Sequence, residues 1–165
     1  MQRAVLLILS MLAASAMAGD NRVDAKAAFE RIKSLAGEWQ GVGDKANEHL
    51  SYELIAGGSS VIERDAAEGR PVMLTVYHLD GGRLLLTHYC MAGNQPRMEA
   101  REFDAKSGRL HFDFLDATNL ASKDAGHMHT ATLYLTNADH LGAEWVYYKD
   151  SKPSFSEKFE FVRVR

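Results

Sequence analysis

Up to about Ala36 the apolar positions recur at helical spacing, and from Glu38 onward they recur at every second residue. Val23, Ala27, Ala28, Ile32 and Leu35 fall on one side of a short predicted helix, with Lys26, Glu30 and Lys33 on the other. Asn21 or Asp24 can cap its start and Gly37 can end it. The alternating region then predicts strands at 38–42, 48–56, 60–66, 72–79 and 83–91. A second set follows at 97–104, 109–116, 128–136, 141–148 and 155–164. Short Gly-, Asn- and Asp-rich links separate them, the punctuation of hairpins. Ten short strands joined this way describe an antiparallel meander, and closing it removes both exposed edges. The expected fold is all-β: a single antiparallel up-and-down β-barrel of about ten strands, lipocalin-like, with one N-terminal α-helix.

The faces of individual strands add detail. Leu110, Phe112 and Phe114 share one face, opposite Arg109, His111 and Asp113. Leu84, Leu86, His88 and Cys90 form another apolar face, and Val72, Leu74, Val76 and His78 form one on the preceding strand. The stretch Thr87 to Met98 carries more chemistry than a hairpin connection needs: His88, Tyr89, Cys90, Asn94, Gln95 and Arg97. Parity divides it, with His88 and Cys90 continuing the apolar face and Asn94 and Gln95 confined to a rim. Arg97 beside Asn94 and Gln95 suits a polar or anionic ligand group at the barrel mouth.

Composition changes the picture at the N-terminus. Arg3, the apolar run Ala4 to Ala13 and Ala16-Met17-Ala18 have the order of a secretory signal peptide, too short to span a bilayer. Residues 1–18 are therefore expected to be removed and 19–165 to form the barrel domain, with periplasmic or secreted location and no membrane insertion after cleavage. The formal net charge is −3 and the basic residues are scattered, which argues against nucleic acid as a partner. Cys90 is the single cysteine, so no intrachain disulfide supports the fold. Oligomeric state is not readable from these features.

The side chains that carry chemistry point in several directions. His127 and His129 lie at i and i+2 of one strand, the start of a transition-metal site if His88, Cys90, His111 or Glu144 supplies a third ligand. A haem would need one axial histidine above an apolar pocket, for which His88 or His129 qualifies. Neither cofactor is favoured. Glu99 with Glu53 or Glu63 could pair inside a barrel, but no motif of hydrolytic catalysis is present and no catalytic residue is assigned. Trp145, Tyr147, Phe159 and Phe161 alternate on late strands and can line a cavity or fill a core. The leading expectation is a small, partly apolar ligand held by His88, Tyr89, Cys90, Asn94, Gln95, Arg97, His129 and Trp145. The alternatives are a metal- or haem-dependent protein and a filled barrel serving as an interaction module.

Gly37-Glu38-Trp39-Gln40-Gly41-Val42-Gly43 resembles the Gly-x-Trp opening of calycin-type barrels, and its longer form is similar to nitrobindin-type barrels. That resemblance implies a Trp39 closing one end and a ligand entering at the other. Nitrobindin-like proteins take their haem ligand from a histidine near the C-terminus, and residues 152–165 contain none. The run Val76 to Met98 together with His127-Met128-His129 resembles uncharacterised exported bacterial proteins of lipocalin-like type, a likeness that implies no particular activity.

Overall fold

The computed structural model describes residues 23–165, so the expected signal segment and Asn21 lie outside the described residues. One helix, α1 (Ala25–Lys33), precedes ten strands. These are β1 (Gly37–Gly41), β2 (Glu48–Ile55), β3 (Ser60–Ala67), β4 (Arg70–Asp80) and β5 (Arg83–Tyr89). The second half is β6 (Gln95–Asp104), β7 (Arg109–Thr118), β8 (His127–Tyr134), β9 (His140–Lys149) and β10 (Lys152–Arg163). Each strand pairs antiparallel with its sequence neighbour, and β10 closes on β1, so the sheet is a complete up-and-down barrel. Closure leaves no edge strand to aggregate.

The helix stoppers one end. Asp24 accepts the Ala27 amide at 2.9 Å and starts α1, while Arg31 and Lys33 complement the dipole in its last turn. Ala25, Ala28, Phe29, Ile32 and Leu35 are buried, joining the barrel interior in one continuous core. Helix α1 lies against β4, β5 and β6. Trp39, fully buried, donates its indole N–H to the Leu35 carbonyl at 2.8 Å, and the Arg163 guanidinium lies 4.3 Å above the ring. Arg163 also donates to the carbonyls of Ser34 and Ala36, just past the helix end, and to that of Ala138 in the β8–β9 link.

The other end carries the links 42–47, 68–69, 90–94, 119–126 and 150–151. The longest of these is tied across its neighbours. Asn94 Nδ2 donates to the Gly126 carbonyl at 2.8 Å, and Asn119 Nδ2 to the Gly93 carbonyl at 2.5 Å. The Asp150 amide and the Ser151 hydroxyl both donate to Asp124.

Strand β1 is short, and this shapes one wall. Its pairing with β10 runs only from Trp39–Arg163 to Gly41–Phe161, so β10 continues toward the open end without a β1 neighbour. A single turn of 3-10 helix, Gly43–Lys45, folds back over that seam. Gly41 permits the return: a Cβ there would stand 1.9 Å from the Lys45 carbonyl oxygen. Lys45 thereby places its ammonium 4.6 Å above the Phe159 ring and 3.7 Å from Glu157.

Strand β4 departs from the expected orientation. Thr75 and Tyr77 are its buried pair, whereas Val72, Leu74, Val76 and His78 take the outer face and are only half-buried. Its inner face is the more polar one, because Thr75 and Tyr77 serve groups inside the barrel.

Candidate functional site

Register assembles a polar hoop within the apolar barrel. Tyr52 on β2 pairs with Glu63 on β3, Glu63 with Thr75 on β4, and Thr75 with His88 on β5. Four successive strands thus present their side chains at one level, all inward and all buried. The Tyr77 hydroxyl, one inward position along, donates to Glu63 Oε2 at 2.7 Å, and Tyr52 is the second hydrogen-bond partner of that carboxyl. Thr75 Oγ1 and His88 Nδ1 are 2.9 Å apart.

Tyr52, Glu63 and His88 of this hoop line a narrow cavity of about 40 Å3, with room for a few water-sized molecules. Trp145, Phe159 and Phe161 supply its aromatic wall, and Met128 and Ala143 complete the apolar side. Asp65, two residues beyond Glu63 on the same face of β3, and Glu157 on β10 stand nearer the mouth.

The electrostatics of the cavity are set by burial. Desolvation raises the Glu63 carboxyl above the usual range, and the bonds from Tyr52 and Tyr77 only partly offset it. Asp65 is pushed up to about 7, first by burial, then by Glu63, Glu48 and Glu157, with Lys45 opposing. Burial and the Glu63 charge also raise the phenols of Tyr52 and Tyr77. His88 is pushed down to about 4 by burial, so its imidazole is neutral at neutral pH. Its Nε2 is buried and has no hydrogen-bond partner, while the Trp145 ring packs against it at 4.7 Å, tilted by 36°.

The candidate residues named from sequence are dispersed. His88 and Trp145 line the cavity. Cys90 sits half-buried just past the end of β5, where its sulfur accepts the Ala92 amide at 3.5 Å. Tyr89 is exposed in a shallow outer groove with His49, Arg64 and Pro71. Asn94 is buried as a brace between turns, its Oδ1 unpartnered, and Gln95 accepts from Thr118 at 2.7 Å. None of these four lines the cavity. Arg97 needs correction. It projects from the exposed outer face of β6, held by both oxygens of Asp116, and is not a cavity or mouth residue. Arg97→Ala is expected to change thermal stability by less than about 1 kcal/mol and to leave occupancy of the cavity untouched; a shifted ligand titration would contradict that placement.

The histidine pair also resolves differently. A carbonyl can only accept, so the His127 Nδ1–H donates to Ala125 O at 2.8 Å. In the neutral ring Nε2 then accepts from His129 Nδ1, 2.9 Å away, and has no lone pair left for a metal. His129 is the extra residue of a bulge, sandwiched at 4.9 Å by Phe114 and at 3.9 Å by Tyr148. Burial and then His127 lower its pKa, with Asp113 opposing. His111 is tied to Thr132 and Asp113, Glu144 is paired with Lys158, and Glu99 lies between Arg83 and Arg101. Glu53 pairs with Arg64 outside the barrel. Among the described residues no three His, Cys, Asp or Glu side chains converge as a metal site, so His88, His127 and His129 do not form one. A porphyrin does not fit either. Trp145 covers the His88 imidazole in a narrow cavity, and both faces of His129 are stacked.

Sequence reasoning missed the pairing of Glu63 with Asp65, and the roles of Tyr52, Tyr77 and Glu157. The available signal was the i, i+2 spacing of Glu63 and Asp65 after Val61, but Ile62, Arg64 and Ala66 compete for the same inner face with greater apolar content.

Fold and cavity together define a closed ten-stranded antiparallel barrel with a helix-stoppered end and an acidic, aromatic interior pocket. A solved structure of a DUF3598-family protein of unknown function from Nostoc punctiforme PCC 73102 is similar at a TM-score of 0.42 and 15% identity. The match covers 81% of this chain and 49% of that one, so the chain spans about half the length of that neighbour. No family model matches the chain, and no curated protein matches it.

Proposed function

We propose that the chain is an exported, lipocalin-like barrel that binds a small, partly apolar molecule in its interior. The observation that carries this reading is His88 Nε2, a buried polar atom without a partner in the wall of an aromatic cavity. Leaving such an atom unpaired costs about 1–3 kcal/mol, a cost that a bound polar group removes. The segment 1–18 supports export, and the sealed helix end supports ligand access from the opposite end or the β10 seam.

The test uses three probes of one shape: benzyl alcohol, benzylammonium and benzoate. At least one is expected to bind saturably, followed by Trp145 emission and calorimetry. Ala143 is buried in the cavity wall, so Ala143→Leu is expected to weaken that binding by about tenfold or more, at an overpacking cost of about 1–3 kcal/mol. No saturable binding by any probe, or equal binding after the cavity is filled, overturns the reading.

A further inference from the structure

We propose that the cavity selects an organic cation, a protonated amine carrying a small apolar or aromatic group, seated between the Glu63 and Asp65 carboxyls and the aromatic wall of Trp145, Phe159 and Phe161. This rests on the interior-binding reading above and names the ligand class for it.

Four observations converge. Three acidic groups line the cavity, Glu63 and Asp65 on β3 and Glu157 on β10, and no Lys or Arg side chain lines it. Buried carboxyls are costly unless something positive compensates them, and inside this barrel the only compensation for Glu63 is a pair of phenols. His88, the one nitrogen base in the wall, is kept neutral by burial, so it offers a hydrogen bond without repelling a cation. Finally, the chain's own ammonium already occupies the mouth. Lys45 Nζ lies over the Phe159 ring at 4.6 Å and beside Glu157 at 3.7 Å, the same carboxylate-plus-aromatic arrangement that recognises ammonium ligands elsewhere.

Geometry makes the class specific. The narrow interior admits a small head group, and Tyr52, Glu63 and His88 of the polar hoop supply its polar lining. An ammonium entering head first meets Asp65 before Glu63, with its apolar substituent left against the aromatic wall. An anion would face three carboxyls, and a neutral alcohol would leave Glu63 and Asp65 without a cation.

The same benzyl series tests the class separately from the pocket. At pH 8 the wild type is expected to bind benzylammonium about tenfold or more tighter than benzyl alcohol, with benzoate weakest. Glu63→Gln and Asp65→Asn keep an acceptor while removing charge, and each is expected to shrink the ammonium preference several-fold while benzyl alcohol affinity holds. That retained alcohol binding also shows that the variants are folded. Lys45→Met removes the resident ammonium and is expected to tighten benzylammonium. Benzyl alcohol or benzoate binding as tightly as benzylammonium overturns the cation class and leaves the pocket standing. A preference unchanged in both carboxyl variants, or weaker cation binding in Lys45→Met, overturns it too. If no probe binds, the pocket reading itself fails.

Discussion

Trp39→Ala is expected to lower stability by about 3–5 kcal/mol, the range for removing a buried Trp. The indole is fully buried, bonded to Leu35 O and covered by Arg163. Its loss opens a cavity at the junction where α1, β1 and β10 are held together. Arg163 then loses the surface it lies on, although its three carbonyl partners remain. For a domain of this size the effect corresponds to a fall of about 6–20 °C in the midpoint of thermal unfolding, measured by circular dichroism. Trp39→Phe keeps most of the volume but leaves the Leu35 carbonyl short of a donor, and is expected to cost about 1–2 kcal/mol. Below the transition the cavity should be unaffected, because Trp39 closes the end opposite the mouth. A loss under 1 kcal/mol in Trp39→Ala would mean that the helix end does not hold the barrel together as its contacts indicate.

Trp39 was also among the most legible residues, and the reason is physical. A closed meander of antiparallel strands repeats one rule, alternation broken by turn residues, and that rule is local. All ten strands and the amphipathic face of α1 therefore stand out in the chain, although Phe29 also belongs to the buried face. Legibility ends where alternation stops distinguishing in from out. On β4 the apolar series Val72, Leu74, Val76 faces outward and the polar Thr75 and Tyr77 face inward, the reverse of what burial of apolar surface alone dictates. The inversion is stable because Thr75 and Tyr77 find partners in His88 and Glu63, contacts that link residues 13 and 14 positions apart. Such partners depend on register, which a hydrophobic pattern does not carry. Dense polar clusters misled for the converse reason. Asn94, Gln95 and Arg97 look like a site in the chain but brace turns or pair with Asp116 across strands. Local rules fail where long-range partners override packing, and on β4 that failure lies beside the pocket.

The acid pair should reveal itself through pH. Asp65 titrates near 7 in the folded barrel, against 3.8 for an ordinary aspartate. Between those values the folded state holds a proton that the unfolded chain has released, so this group's contribution to stability is most favourable at low pH. It declines as pH rises through that window and is least favourable above 7. Glu63 is shifted in the same direction. His88 acts oppositely: lowered to about 4 from 6.5, it destabilises the fold as pH falls through that interval. The wild-type profile is thus a partial cancellation, and the difference between wild type and a carboxyl variant is the informative quantity. Asp65→Asn is expected to match wild type near pH 4 and to become more stable as pH rises, reaching a plateau above 7. Because Asp65 keeps some contact with solvent at the mouth, the full shift is discounted to a gain of about 1–3 kcal/mol, read as a midpoint of unfolding above that of the wild type at pH 8 and level with it near pH 4. A variant equally stable or less stable at pH 8 would remove the argument that the carboxyl is held at a cost to the fold. Combined with the benzylammonium titration the outcome becomes diagnostic. A carboxyl kept only for packing would leave binding alone when replaced. One kept for a cationic ligand should yield a barrel that is sturdier at high pH and poorer at binding, the exchange of stability for function expected where a protein maintains a buried charge for a partner.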